Sequence, residues 1–410
     1  MADLSISSKA SLVLDLPPSC IQFCPAYPEY FVIGTYNLQK EGNGGQPEAE
    51  KDSQVREEPA VELKKSQSRN GSLVVYKTDG STVTHVQTIS QPSALLDVRF
   101  HPAAGIQDIV AVVSSTRTLA IFRLNPTTNP DAPLQHIATS QCDDLAEHVL
   151  FLQCSWHPTD GQIIGVTTST GLSKLLRLDS EWKIAAAVDI DIANSLEAWS
   201  IAFAPGPGPV AAPVGLTTVY TGGDDSVLRY NSYLVTSDKD DELVAQESPS
   251  FNPISIKGQH DAGVTAILPL ALHESSGGRL VVTGSYDDHV RLFAIHDPQE
   301  SYGMKRVKLL TEKNLEGGVW RLDLVDAVSS EGSVEIRILA SCMYAGARLV
   351  QISQGADGTW RCEVLARFQE HQSMNYGCAI VPPRKRGDHR LVCVSTSFYD
   401  KLLCLWEYEL

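Results

Sequence analysis

A short unit of β-strands that recurs along the 410-residue chain is the feature that most constrains its fold. The clearest copy is Val281–Phe293, in which two β-branched runs flank the acidic turn Asp287–Asp288. A histidine precedes this copy, at His260, followed by an aliphatic strand that begins at Val264. The same order of strand and turn signals returns seven times, so the sequence predicts an all-β protein of seven small sheets.

The two ends of the chain complete this arrangement. The seventh copy ends at Leu410 with three strands, whereas Ser11–Leu16 near the start alternates like a lone strand. One strand from the start of the chain that closes the last sheet would remove its open edge. A histidine, a strand of small residues, an aspartate turn and a strand ending in an aromatic residue are typical of WD40 blades. We therefore predict a seven-bladed WD40 β-propeller whose last blade is closed by the N-terminal strand.

The repeat occupies the whole chain, so we expect residues 1–410 to form a single propeller domain. One segment interrupts it at about 40–70, from Lys40 to Asn70, and is rich in Glu, Lys, Gln, Ser and Gly. Such a composition cannot bury enough apolar surface to order itself. We predict a disordered insertion in a loop between two strands of the first blade.

Charge and cysteine usage narrow the class of protein. The net charge is −16, which argues against nucleic-acid binding, because phosphates need a basic partner surface. The nine cysteines show no Cys-x-x-Cys pair, so we expect reduced core thiols. The sequence shows no signal peptide, no membrane-spanning run, no cofactor motif and no metal cluster. We expect a cytoplasmic monomer with no cofactor.

Functional residues are expected on one face of the propeller. The loops that enter the first strand of each blade share this face with the loops that join the second and third strands. In blades four to seven these loops are short and rich in aromatic and acidic residues. Trp199 and Trp320 each begin a strand beside the channel, where Leu96 suffices in blade two. Tyr286, Met343 and Tyr399 occupy turn positions that could line one wall.

Several of these residues also fit a structural role. In WD40 blades a histidine, a strand Ser or Thr, a turn aspartate and a tryptophan form a hydrogen-bonded chain. His260 fits those positions with Asp287, and His371 fits them with Asp400 and Trp406. Asp224 occupies the turn position in blade four, and Cys342 aligns with Ser285, which is a structural position.

Taken together, the loop motifs resemble the WD-repeat methylesterase family of diphthamide biosynthesis. Blades four to seven contain the resemblance, and blades one to three add little. Phe293 and Tyr230 depart from the pattern, since a tryptophan is usual at those blade ends. The matching motifs are Glu197-Ala-Trp199, Gly222-Gly-Asp-Asp225, Thr283-Gly-Ser-Tyr-Asp287 with His289, Gly317-Gly-Val-Trp-Arg321, Cys342-Met343, His371 with Tyr376-Gly377, and Ser397-Phe-Tyr-Asp400 before Leu405-Trp406.

The resemblance implies a carboxylic ester hydrolase. Its substrate would be the methyl ester of methylated diphthine, a modified histidine on translation elongation factor 2, and its product diphthine. A trimethylammonium group offers no hydrogen-bond donor and is recognised by aromatic faces with acids nearby. We expect the substrate-binding residues to be Glu197, Trp199, Tyr286, Glu316, Trp320 and Tyr399.

Ester hydrolysis also needs a nucleophile or an activated water. The sequence contains no Gly-x-Ser-x-Gly elbow. The candidates are Cys342 as nucleophile, or a water activated by His371 or by an acid such as Asp225. We slightly favour water with His371 as the base.

Two other functions remain open at this stage. WD40 propellers are often platforms that hold proteins together without catalysis, and the fold alone does not decide. An aromatic cage could also recognise trimethylated lysine without any chemistry. Ester hydrolysis by the purified chain would distinguish the methylesterase from the protein-binding platform and from recognition of trimethylated lysine.

Overall fold

The computed structural model describes residues 4–38, 68–206, 216–237, 243–247, 251–330, 333–382 and 390–410. The predicted insertion at about 40–70 lies almost entirely outside these residues. The described part is built of strands, arranged as seven sheets that form a seven-bladed β-propeller, as the repeat predicted. We label the strands of each blade a to d, from the central channel outwards.

Blades one to four follow each other along the chain. Blade four has an irregular outer edge. Two short strands, rather than one, pair with the third strand of that blade. The strands are Pro18–Phe23, Tyr30–Thr35, Arg69–Thr78 and Val83–Gln91 in blade one, with Asn37–Leu38 added; Leu95–Phe100, Ile109–Ser114, Thr118–Leu124 and Leu134–Gln141 in blade two; Phe151–Trp156, Ile163–Thr168, Ser173–Leu178 and Ile184–Ile190 in blade three; and Ala198–Phe203, Leu216–Gly223, Leu228–Ser237, Leu243–Glu247 and Ile254–Ile256 in blade four.

Blades five to seven complete the ring, and two strands from the start of the chain join the last two blades. The strands are Val264–His273, Arg279–Ser285, His289–Ile295 and Val307–Asn314 in blade five; Arg321–Ser330, Ser333–Ser341, Ala347–Gln354, Trp360–Phe368 and Leu4–Ile6 in blade six; and Gly377–Ile380, Arg390–Thr396, Leu402–Glu409 and Ala10–Val13 in blade seven.

The N-terminal closure is confirmed. Ala10–Val13 pairs antiparallel with Leu402–Glu409, so the fourth strand of blade seven comes from the start of the chain. A second contact was not predicted: Leu4–Ile6 adds in parallel to the outer strand of blade six. These two strands near the start of the chain thus cover the outer edges of blades six and seven, the last two blades in chain order.

The second strand of each blade forms the centre of the core. Ile109–Ser114, Ile163–Thr168 and Arg279–Ser285 are buried along their whole length, because both faces of each sheet pack against a neighbouring blade. Outer strands such as Val83–Gln91 alternate between half-buried and exposed residues. The nine cysteines are free thiols, and eight of them are buried. This packing holds the loops at the channel mouth in place.

Candidate functional site

Two neighbouring aspartates in the turn of blade four have different roles. Asp225 forms an ion pair with Arg229 at 2.8 Å and accepts hydrogen bonds from the backbone N and the Oγ of Ser195, at 2.8 and 3.0 Å. Asp287 pairs with Arg291 at 2.8 Å in the equivalent turn of blade five. Asp225 is therefore the structural turn residue of blade four, and the prediction that Asp224 occupies this position was wrong.

The electrostatics of Asp225 follow from those contacts. Burial raises the pKa of its carboxyl, but the hydrogen bonds from Arg229 and Ser195 outweigh burial and hold the pKa below its ordinary value. A carboxylate whose lone pairs are already occupied is a poor base for water. The structure thus argues against our candidate Asp225 as the group that activates water.

Asp224 instead points toward the aromatic residues at the channel mouth. The Nε1 of Trp199 donates a 2.5 Å hydrogen bond to its Oδ1. Burial raises the pKa of the Asp224 carboxyl, and the charges of Glu197 and Asp225 raise it further, although the bond from Trp199 lowers it. A half-buried carboxyl with a raised pKa is typical of groups that transfer protons.

Five aromatic rings lie beside this carboxyl or continue away from it. Trp320 lies at the centre, with its ring centroid 5.3 Å from that of Trp199, 5.8 Å from Tyr286 and 5.0 Å from Tyr376. Phe398 follows at 5.5 Å from Tyr376. We call these five residues the aromatic cluster. They come from blades four to seven, and the rings touch one another, so a ligand would bind on their outward faces.

Asp224 lies beside the rings of Trp199 and Tyr286, and we call these three residues and Trp320 the Asp224 site. The loop opposite passes close by at Gly263. A Cβ at this position would lie 2.8 Å from Oδ1 of Asp224 and 3.0 Å from the Tyr286 ring. Glycine is therefore required for the loop, the carboxyl and the ring to lie this close together. Burial raises the pKa of the Tyr286 phenol, and the Asp224 charge adds to it.

Of the six residues predicted to bind substrate, four lie in or beside the Asp224 site. Trp199, Tyr286 and Trp320 belong to it, and Glu197 is half-buried beside it, where its charge reaches Asp224 and Tyr286. The other two lie elsewhere.

Glu316 and Tyr399 are placed differently from the prediction. The carboxylate of Glu316 pairs with Arg367 and lies 3.4 Å from Arg348, and its side chain is 56% exposed. Tyr399 is 70% exposed, and its ring contacts Phe398 at 5.1 Å. The loop of blade seven contains one residue more than that of blade five, which brings Phe398 into the wall position predicted for Tyr399.

His371, which we favoured as the base, lies in the structural chain of blade seven. Its Nε2 lies 2.7 Å from the Oγ of Ser395, which also accepts a 3.0 Å hydrogen bond from Nε1 of Trp406. Burial lowers the pKa of the imidazole to about 4. The ring is buried in the blade and packs 5.2 Å from Phe368, so the structure argues against a contact with substrate.

Cys342 is equally unsuited to its predicted role as nucleophile. Its side chain is 0% exposed and belongs to the core between blades five and six. The thiol lies 3.7 Å from the carbonyl oxygen of Ala340, and burial raises its pKa well above the ordinary value. The reactive form of a cysteine is the thiolate, which this environment disfavours.

Sequence reasoning missed three members of the site: Asp224, Tyr376 and Phe398. One signal could have identified Asp224. In blades four and five an aspartate stands four residues before an arginine, as Asp225 and Arg229 or Asp287 and Arg291. Aligning the turns on this pair assigns Asp225 to the structural position and leaves Asp224 in the position of Tyr286.

Within the described ranges, no group of three or more His, Cys, Asp or Glu side chains is arranged to hold a metal ion. The same ranges contain no helix long and apolar enough to cross a membrane.

Curated proteins similar to this chain share one name. A protein named diphthine methyltransferase from Schizosaccharomyces pombe is 24% identical over 99% of this chain and 99% of its own length. Its namesake from Saccharomyces cerevisiae is 24% identical over 95% of both chains. The human protein of that name is 24% identical over 88% of this chain and 72% of its own. These relatives confirm the resemblance to the diphthamide-biosynthesis proteins and indicate an enzyme of that process.

Solved structures and family models add less. A chain of the mitotic checkpoint complex superposes with a TM-score of 0.57 at 12% identity, covering 100% of this chain and 98% of its own. Saccharomyces cerevisiae Sqt1 gives 0.54 at 8% identity over 99% and 100%. At these identities the likeness shows the propeller fold alone. No protein-family model matches the chain.

Proposed function

We propose that this chain is a carboxyl methylesterase that removes the methyl ester of methylated diphthine on translation elongation factor 2. The products are diphthine and methanol. The reaction takes place in the cytoplasm, where the factor serves the ribosome. The observation on which the proposal rests is the Asp224 site, in which one carboxyl is bonded to Trp199 beside further aromatic rings and burial raises its pKa.

The rings and acids of the Asp224 site suit a trimethylammonium group. Such a cation is attracted to the face of an aromatic ring, and most strongly to tryptophan. The outward faces of Trp199 and Trp320 bind the methyl groups, and the half-buried carboxylate of Glu197 balances the charge. Substrate recognition by aromatic faces needs no hydrogen bond to the ammonium, which has no N–H to offer.

Asp224 supplies the base for the ester step. Its carboxylate takes a proton from a water molecule as the oxygen of that water attacks the ester carbonyl. The tetrahedral intermediate then collapses, and the leaving methoxide receives the proton and departs as methanol. The ammonium and the ester belong to one side chain, so the base must lie close to the ring faces. The 2.5 Å bond between Trp199 and Asp224 meets this requirement.

The names of the relatives favour a second reaction, methyl transfer to diphthine. One assay distinguishes the two. Elongation factor 2 bearing methylated diphthine is incubated with the purified chain, and the modified peptide is followed by mass spectrometry. Hydrolysis removes one methylene unit in mass and retains the trimethylammonium group. A methyltransferase instead needs a methyl donor and adds mass to an under-methylated substrate.

One variant and two alternative outcomes make the assay decisive. Asp224→Asn should bind the modified factor but leave its mass unchanged. Absence of any mass change with the unaltered, folded chain would reject the esterase and favour a binding platform. A gain of mass that requires a methyl donor would favour the methyltransferase.

A further inference from the structure

A network of charged side chains crosses the central channel at mid-height. Asp97 in blade two accepts a 3.0 Å hydrogen bond from Nε of Arg99 and a 3.2 Å bond from the backbone N of Cys154 in blade three. From the other side of the channel, Nη2 of Arg321 in blade six lies 3.7 Å from Oδ1 of the same carboxylate. Arg321 also lies against the ring of Trp320, 5.5 Å from its centroid. Arg321 therefore contacts both the charge network and the aromatic cluster.

A cavity of about 280 Å³ lies on the far side of this network. It is lined by the first strands of blades two to six and extends from Arg99 and Arg321 toward Pro102 and Pro269, away from the aromatic cluster. The charged side chains among the described residues that line it are the two arginines. A positive lining is unexpected in a protein with a net charge of −16.

One nitrogen in this lining lacks a partner. Nη1 of Arg321 is buried and makes no hydrogen bond to the described residues. Burying a polar group without a hydrogen bond is costly, and more so for a charged group. If the guanidinium of this lining residue turns toward the cavity, an anionic oxygen bound there would satisfy the nitrogen. Guanidinium groups match carboxylate and phosphate oxygens in geometry as well as charge.

We propose that this cavity is a second binding site, which takes a small anion bearing a carboxylate or phosphate group between Arg99 and Arg321. The volume lies near the lower end of small-molecule pockets, which begin at about 300 Å³, so the ligand is small. The site is distinct from that of the proposed esterase reaction, because the cavity lining contains neither Asp224 nor any residue of the aromatic cluster.

Asp323 tunes this site. Burial raises the pKa of its carboxyl to about 6, although the charges of Arg99 and Arg321 lower it, and Asp97 raises it. When ionised, Asp323 competes with a bound anion for the same two arginines. Binding of an anion should therefore favour the protonated form of Asp323, and affinity should rise as the pH falls through about 6.

The test is calorimetric titration of the full chain with inorganic phosphate and with succinate, at constant ionic strength, with chloride as the reference anion. Saturable binding of one anion per chain is expected. Arg321→Gln should weaken the affinity at least tenfold, whereas Asp323→Asn should strengthen it several-fold at a fixed pH near neutrality. Ser155→Leu, which narrows the cavity from a half-buried lining residue without changing any charge, should also weaken binding.

Two results would overturn the proposal. One is that neither phosphate nor succinate binds saturably to the unaltered chain. The other is binding that Ser155→Leu and Asp323→Asn leave unchanged, since it would then come from the outer surface. If Arg321→Gln does not fold, those two variants decide the question. Binding of succinate but not of phosphate, or of phosphate but not of succinate, would identify which anion the site prefers. Esterase activity is measured separately, so failure of one proposal leaves the other standing.

Discussion

The Nε1 of Trp199 donates a hydrogen bond to the Oδ1 of Asp224, across 2.5 Å. Trp199 lies near the start of the first strand of blade four, and Asp224 lies in the loop that joins its second and third strands. The bond joins a ring suited to an ammonium group with a carboxyl suited to activate water. It also lowers the pKa of Asp224 against the effects of burial and of Glu197.

Removing the carboxylate of Asp224 should abolish turnover with little effect on binding. Asp224→Asn keeps the size of the side chain and an oxygen that can accept from Trp199, but it cannot take a proton from water. We expect kcat to fall by about 10²–10⁴-fold, the usual range for loss of a general base, with KM little changed. Steady-state kinetics with the methylated factor measure both.

Asp225→Asn is the matched control for that variant. It lies one residue away and serves the turn through Arg229 and Ser195. Loss of this ion pair should reduce the free energy of unfolding by about 1–3 kcal/mol and leave kcat within a few-fold. Loss of activity in the folded Asp225→Asn variant, with Asp224→Asn active, would reverse the two assignments.

Trp199→Phe should move the pH profile of the reaction. The phenyl ring retains an aromatic face but has no N–H, so the bond that lowers the pKa of Asp224 is lost. The carboxyl would then ionise at a higher pH, and the acid limb of kcat/KM should shift upward. Trp199→Ala, which also removes the ring, should raise KM sharply. An acid limb that Trp199→Phe does not move would show that Asp224 is not the titrating group.

The sequence predicted the fold more fully than the site. Strand and turn signals recur once per blade, and each is a local property, so the seven blades and the closure by residues near Ser11 could be predicted. The site depends on which side chain of a turn faces inward. In blade seven, one extra residue in the loop places Phe398 at the wall position that was predicted for Tyr399. In blade four, the two neighbouring aspartates have the opposite roles to those predicted. Such one-residue differences cannot be recognised from the sequence alone, because they depend on which residues of neighbouring strands pair with each other.

Cys342→Ala should leave the reaction unchanged. The thiol is buried in the core, and burial raises its pKa, so the thiolate is not populated near neutral pH. We expect kcat/KM equal to that of the unaltered chain and no inhibition by thiol-alkylating reagents under native conditions. Cys362, which is half-buried, is the internal reference for reagent access. Trapping of an acyl group on Cys342 would contradict this prediction.

The buried histidines should set the stability of the propeller in mildly acidic solution. Burial lowers the pKa of both His260 and His371 from 6.5 to about 4, and each Nε2 pairs with a strand hydroxyl, that of Thr283 or Ser395. Between these two pH values the unfolded chain binds a proton at each histidine and the folded chain does not. The free energy of unfolding should therefore fall as the pH drops from about 6.5 to about 4, by up to about 1.4 kcal/mol per pH unit for each histidine.

Urea unfolding at several pH values between about 7 and 4 measures this dependence. His260→Gln and His371→Gln should each lower stability near neutral pH by about 1–3 kcal/mol, because a buried hydrogen bond is disturbed. Each variant should also remove the contribution of its own histidine to the pH dependence of the free energy of unfolding. The carboxylates whose pKa values are lowered in the fold, such as Asp287 and Asp400, lose their contribution only at lower pH, so they do not imitate the effect. A slope that both histidine variants retain in full would assign it to other groups. Esterase activity retained by folded His371→Gln at neutral pH would confirm that this histidine supports the blade and takes no part in the reaction.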